Sequence, residues 1–214
     1  MSTEAILSLV FSIITAIVAV IALVISIIQI QKSNKQSLFD RRLKAFLTTK
    51  WMKSLCDEHQ SISKTYLEDA KKGPLLSIDL LFVWMTNCTA LEEIQPVIHH
   101  TLEGEFQRKY LLKMEELRNL CEEVQLIFPD DTAHKLADFI FYYEEMLVSI
   151  YKYQIAIKGI EKECQDKKAP LPLNDQLENT QRNAVVKYVS GTFELSKRLF
   201  EDGTFEKAKK AIKL

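Results

Sequence analysis

Side chains that could perform chemistry are few and widely separated in this 214-residue chain. Cys56 and His59 have half the spacing of a zinc site, but no second pair of Cys or His residues completes it. His99 and His100 are adjacent, so on a helix they would point about 100° apart and could not chelate one ion. An ordinary helical surface is therefore the better interpretation of both pairs.

Motifs for nucleophilic or phosphate chemistry are absent as well. The sequence contains no nucleophile elbow and no Walker loop, and it has only five glycines and five prolines. Asp131 and His134 have the spacing of half a di-iron motif, but such sites need two Glu-x-x-His pairs and further carboxylates. Acidic doublets such as Glu144-Glu145 are interpreted as solvated helix faces. The sequence therefore predicts no catalytic residue, metal ligand or cofactor, and we do not expect an enzyme.

A different pattern of polar residues lies near the N-terminus, where Ala5 to Ile30 form a run of 26 residues without a charge. Small and polar residues recur in this run at alternating intervals of three and four, which places them on one face of a helix. We call this face the seam, and it comprises Ala5, Ser8, Ser12, Thr15, Ala19, Ala22, Ser26 and Gln29. Small residues let helices approach closely, and hydroxyl and amide groups can hydrogen-bond between helices.

Two interpretations of the seam remain open. It could be a helix–helix interface in a dimer or small oligomer. Alternatively, several copies could place it around a narrow pore, with the hydroxyls of Ser8, Ser12, Thr15 and Ser26 facing water. The absence of charge would suit a gated or poorly selective pore.

The uncharged run is long enough to cross a membrane. As a helix, 26 residues extend about 39 Å, more than the roughly 30 Å of a hydrocarbon core. A signal peptide would have an apolar stretch of about 7–15 residues after positive charge, whereas the only charged side chain upstream is Glu4. We expect residues 1–31 to form a retained, single transmembrane helix.

Basic residues cluster directly after this span. Residues 32–53 contain seven basic side chains and one acidic side chain. Such an excess stays in the cytoplasm, so we expect an outside N-terminus and a cytoplasmic domain, and the scattered cysteines fit a reducing compartment. The cluster would contact lipid headgroups, or it would bind a polyanion such as a nucleotide or nucleic acid where several subunits meet. The candidate residues are Lys32, Lys35, Arg41, Arg42 and Lys44.

The rest of the chain has apolar residues at helical spacing and no segment with the period of a strand. We expect an all-α fold in which the transmembrane helix continues as a basic stalk over residues 32–72, followed by a cytoplasmic bundle over residues 73–214. Helices are predicted after Gly73-Pro74 through about Ile94, over residues 105–127 and 132–165, from Asn174 or Asp175 to residue 201, and in a short basic segment at the end. Proline residues predict a break within residues 169–172.

Two short segments carry a family resemblance, SLFDRRLKAF at residues 37–46 and LIFPDD at residues 126–131. Together with the topology, they resemble a group of bacterial single-pass membrane proteins linked to abortive infection or anti-phage defence. Some of these, such as the channel subunit of Hailong-type systems, are membrane effectors held in check by an oligonucleotide that a partner nucleotidyltransferase makes. The resemblance implies a nucleotide or oligonucleotide regulator and no catalytic residue.

These observations predict a homo-oligomeric protein of the bacterial inner membrane. The expected function is a gated pore that depolarises an infected cell under the control of a ligand or partner bound to the helical domain. The alternative is a membrane-anchored adaptor that recruits proteins without forming a pore.

Overall fold

The computed structural model describes residues 3–167 and 176–212, and all regular secondary structure in these two ranges is helical. The elements are α1 (Thr3–Glu58), α2 (Gln60–Asp69), α3 (Ile78–Met85), a 3₁₀ helix (Glu92–Ile98), α4 (Gly104–Ile127), α5 (Asp130–Lys167), α6 (Gln176–Glu201) and α7 (Thr204–Ile212). The prediction of an all-α fold, with a long apolar N-terminal helix followed by a helical bundle, is confirmed. The predicted break at residues 169–172 and the predicted helix start at Asn174 or Asp175 lie outside the described residues.

The chain divides into two compact units, with the boundary between Arg41 and Arg42. In the first unit, every described side chain from residue 11 to residue 41 is exposed. The large apolar side chains between Phe11 and Ile30 are 46–65% exposed. Among the described residues, α1 is the one helix that is long and apolar enough to cross a membrane, with a mean hydropathy of 3.0 in its most apolar stretch.

The second unit is built around α5, which packs against both α4 and α6. The sequence repeats apolar residues along α5 at intervals of three and four, so large side chains follow one another along its length. Phe139, Tyr143, Met146, Ile150 and Tyr153 are each fully buried. In α4 a similar row of buried side chains runs from Tyr110 through Met114 and Leu117 to Val124.

Two helices end earlier than their periodicity indicates. The apolar pattern after Gly73-Pro74 continues to Ile94, yet α3 ends at Met85. The Thr86 hydroxyl donates to the carbonyl of Phe82 at 2.8 Å, and a turn follows before the 3₁₀ helix begins at Glu92. Likewise α1 ends at Glu58 without a glycine or proline, and the ring of His59 stacks on Trp84 with 5.7 Å between ring centroids. The Tyr143 hydroxyl of α5 donates to the carbonyl of Met85 at 2.6 Å, so a tertiary contact accompanies each interruption.

The turn between α6 and α7 depends on a glycine. Gly203 has a φ of 67°, in the left-handed region that L-residues with a side chain rarely adopt. The amide of Gly203 donates to the carbonyl of Phe200, and the amide of Asp202 donates to that of Arg198. This left-handed residue ends α6 and lets the chain reverse into α7.

Candidate functional site

The seam lies on the exposed surface of α1. Six of its members, from Ser12 to Gln29, are exposed, and the side chains of Ala5 and Ser8 lie outside the described part of the chain. The Thr15 hydroxyl donates to the carbonyl of Phe11 at 2.8 Å, and the Ser26 hydroxyl donates to that of Ala22 at 2.8 Å. Each hydroxyl hydrogen is therefore satisfied within the helix, while the oxygen keeps lone pairs that can accept from a neighbour.

Small side chains leave a shallow groove along the N-terminal part of the described seam. The groove has a volume of about 650 Å³ and is lined by Phe11, Ser12, Thr15, Ala16 and Ala19. A groove next to a large ring is the surface into which a ridge of side chains from another helix can pack. The groove thus suits close association with another helix, because small residues let helices approach each other in membranes.

The candidate residues of the basic segment differ in exposure. Lys32, Lys35, Arg41 and Lys44 are exposed, whereas Arg42 is half-buried. Arg42 Nε donates to the carbonyl of Ile127 at 2.6 Å, and its Nη1 donates to the carbonyl of Ala211 at 2.7 Å.

These acceptors lie at the last residue of α4 and in the last turn of α7. A cation at two helix C-termini satisfies carbonyls that lack partners within their own helices. Arg42 therefore holds α1 to the ends of α4 and α7, a role that charge counting along the sequence could not separate from lipid or polyanion binding.

Helix α7 is docked by further contacts around Arg42. The Phe205 ring packs edge-to-face on Phe46 of α1 with 5.7 Å between centroids. Lys207 Nζ lies 3.3 Å from a carboxylate oxygen of Asp131 at the start of α5. Thr204, Ala208 and Ile212 of α7 are buried within the second unit. The C-terminal segment, which the sequence predicts as a short basic helix, is thus a packed part of the bundle.

The residues first considered for chemistry are held in structural contacts. Cys56 is buried, and burial raises the pKa of its thiol well above the usual range, so the reactive thiolate is disfavoured. His100 Nδ1 lies 2.7 Å from a carboxylate oxygen of Glu103, and His99 Nδ1 lies 4.0 Å from one of Asp79. Within residues 3–167 and 176–212, no group of three or more potential ligands is placed to hold a metal ion.

Two buried carboxyl groups were missed by reasoning from the sequence. The interpretation of Glu144 as part of a solvated face is wrong, because the residue is 1% exposed and accepts from Arg118 Nη2 at 2.7 Å. Glu178 is also buried and accepts from the Tyr153 hydroxyl at 2.7 Å. Burial of a charged side chain cannot be predicted from the apolar period of its helix, because it depends on which other helix packs over that side chain.

The described residues therefore provide surfaces for association. An exposed apolar helix with a polar seam can contact lipid and other helices, and an exposed basic segment can contact anionic groups. No protein-family model, curated protein or solved structure matches this chain.

Proposed function

We propose that the chain is a homo-oligomeric effector of the bacterial inner membrane, in which the α1 helices of several copies surround a gated pore. The observation that carries this proposal is the seam: six described small or polar residues lie on one face of a helical segment whose large apolar side chains, from Phe11 to Ile30, are all exposed. An anchor alone needs hydrophobic length but no sorting of its polar groups to one face.

Lipid is the medium that accounts for the exposed apolar surface. Thirteen large apolar side chains between Phe11 and Ile30 are open to the surroundings, an unfavourable arrangement in water. The basic residues that follow, with Lys32, Lys35, Arg41 and Lys44 exposed, support a cytoplasmic location for the second unit and an outside N-terminus.

The seam supports a pore because its hydroxyl oxygens can also accept hydrogen bonds from water. With Thr15 and Ser26 already donating within their helix, a ring of such residues presents acceptors and no charge. Opening would collapse the membrane potential of an infected cell. The resemblance in residues 37–46 and 126–131 supports a defence role and control by a nucleotide or an oligonucleotide from a nucleotidyltransferase.

Flux from proteoliposomes tests the pore. The protein, purified free of nucleotide, should let ions cross the vesicle membrane, as a trapped ion indicator reports. The double variant Ser12→Leu with Thr15→Leu should abolish this flux and reduce oligomer size in detergent. Ile13→Leu with Ile17→Leu is the matched control, because it adds no bulk to the seam and should leave both measurements unchanged. Absence of flux from the wild-type protein would contradict the pore.

The second candidate function is a membrane-anchored adaptor whose seam only joins copies together. The bonds of Thr15 and Ser26 to their own helix favour it, since they satisfy the hydroxyl hydrogens without water, as a dry interface requires. An adaptor would leave the membrane potential intact on overexpression, and the seam variant would still dissociate the oligomer. Replacing the helical bundle by an unrelated one would then abolish function.

A further inference from the structure

A groove of about 390 Å³ lies between the C-terminal part of α1 and the second half of α6. Lys53, Cys56 and Asp57 line it from α1, and Phe193, Ser196 and Phe200 line it from α6. All of these residues belong to the second compact unit. The volume falls within the range of small-molecule sites, which begins at about 300 Å³.

The floor of this groove contains a buried hydroxyl without a strong hydrogen-bond partner. Ser196 is 2% exposed, and its Oγ faces the Cys56 thiol but meets the geometry of a hydrogen bond with no group. One turn earlier on the same helix, the Thr192 hydroxyl donates to the carbonyl of Tyr188 at 2.7 Å, so the helix offers an acceptor that Ser196 does not use. The neighbouring Cys56 thiol is only a weak partner. Buried hydroxyls are normally hydrogen-bonded, so this one is available to a ligand.

The walls are aromatic, and their charges are balanced. Phe200 is 75% exposed and Phe193 is half-buried. Lys53 Nζ lies 5.3 Å from the centroid of the Phe200 ring and is ion-paired with Asp57. Lys197 and Glu201, at the rim, form a second pair at 3.5 Å. Because each ammonium group faces a carboxylate, the groove carries no net charge to attract an ionic ligand.

We propose that this groove binds a small uncharged molecule with an apolar, aromatic body and one hydrogen-bonding group. The aromatic body would pack against Phe193 and Phe200, and its polar group would pair with the Ser196 hydroxyl. A role for this ligand in controlling the pore rests on the proposed function, whereas binding itself does not.

Equilibrium dialysis of the full-length protein with 2-naphthalenemethanol, a neutral two-ring alcohol, tests the proposal, with the same detergent on both sides. Wild type should retain the probe, and Ser196→Ala should weaken binding about fivefold, the equivalent of one net hydrogen bond. Phe200→Ala should also weaken binding, because it removes the ring against which the probe packs. Ser190→Ala and Phe141→Ala are matched controls on exposed residues outside the groove and should bind as wild type does. No retention above the detergent blank, or equal binding by all four variants, would overturn the proposal.

Alkylation of an introduced cysteine locates the bound probe. In Lys197→Cys, at the exposed rim of the groove, the probe should slow modification of the new thiol by a small maleimide, while Lys187→Cys, exposed on the same helix outside the groove, serves as the control with an unchanged rate. Equal rates at position 197 with and without the probe would place binding elsewhere and refute the groove. Because neither measurement involves conductance, failure of the pore leaves this test intact, and failure here leaves the flux test intact.

Discussion

At the scale of the residue, Glu144 shows how burial and an ion pair compete over one carboxyl group. Its side chain is 2% exposed, while that of its partner Arg118 is 63% exposed. Burial raises the pKa of Glu144, and the hydrogen bond and charge of Arg118 lower it by less. The partner is too well solvated to offset the loss of water around the carboxylate.

This shift predicts that ionisation of Glu144 weakens the fold. Because the pKa is higher in the folded chain than in the unfolded chain, its stabilising contribution is complete below the usual pKa of glutamate and is lost as pH rises through the folded value. Glu144→Gln should therefore raise the melting temperature of the bundle at pH 7, by about 2 °C or more, and have little effect near pH 4. Circular dichroism measures this, with the exposed Glu122→Gln as control. A lower melting temperature at pH 7 would mean that the ion pair outweighs burial.

At the scale of the element, α5 and α6 pack tightly where Gly191 of α6 faces the ring of Tyr142 of α5. A Cβ atom added to Gly191 would lie 2.5 Å from Cε1 of Tyr142, inside van der Waals contact. The Tyr142 ring also packs edge-to-face on Tyr188, with 5.9 Å between centroids. The Thr192 hydroxyl makes a contact of 2.9 Å to the carbonyl of Tyr142. A new methyl group would therefore have to displace the Tyr142 ring from its contact with Tyr188.

Two glycine-to-alanine changes should consequently have opposite effects. Gly191→Ala should destabilise the bundle by about 1–3 kcal/mol through overpacking, reduced by the better helix propensity of alanine. Gly159→Ala, where nothing lies within 4 Å of the added atom, should stabilise it by about 0.5–1 kcal/mol. Chemical denaturation of the two variants beside wild type checks both signs. Stabilisation by both substitutions would show that the α5–α6 contact yields easily.

The elements that local chemistry defines could be predicted from the sequence, and the tertiary details could not. Helix α4 was expected over residues 105–127 and spans Gly104–Ile127, because its apolar period is regular and Pro129 follows it. The turn after Met85 was missed because the apolar period runs on past it. The engagement of Arg42 and the hydroxyl in the groove between α1 and α6 depend on helices distant in sequence, which no local pattern encodes. The seam, by contrast, is local and was predictable as a face of a helix.

At the scale of the whole molecule, α1 is the element that both compact units share. Its first part is the exposed apolar helix, and its second part begins at Arg42, which holds the ends of α4 and α7. If a ligand of the helical bundle controls a pore, its effect must reach the apolar segment through α1, because α1 is the continuous helix that joins the two. The contacts of Arg42 and Phe46 with the helical bundle then determine how firmly α1 is attached to it.

Removal of the Arg42 guanidinium should loosen this attachment selectively. Arg42→Ala deletes two hydrogen bonds from a charged donor, each worth about 1.5–3 kcal/mol, and leaves the carbonyls of Ile127 and Ala211 to water. Hydrogen exchange at the amides of α7 should become at least about tenfold faster, because local opening governs exchange, while exchange in the middle of α5 changes little. Lys44→Ala, which removes an exposed cation two residues away, should leave α7 protected as in wild type. Equal protection of α7 in both variants would show that Phe205, Lys207 and the buried face of α7 suffice to dock it. Faster exchange confined to the Arg42 variant would identify this guanidinium as the tie between α1 and the C-terminal helix.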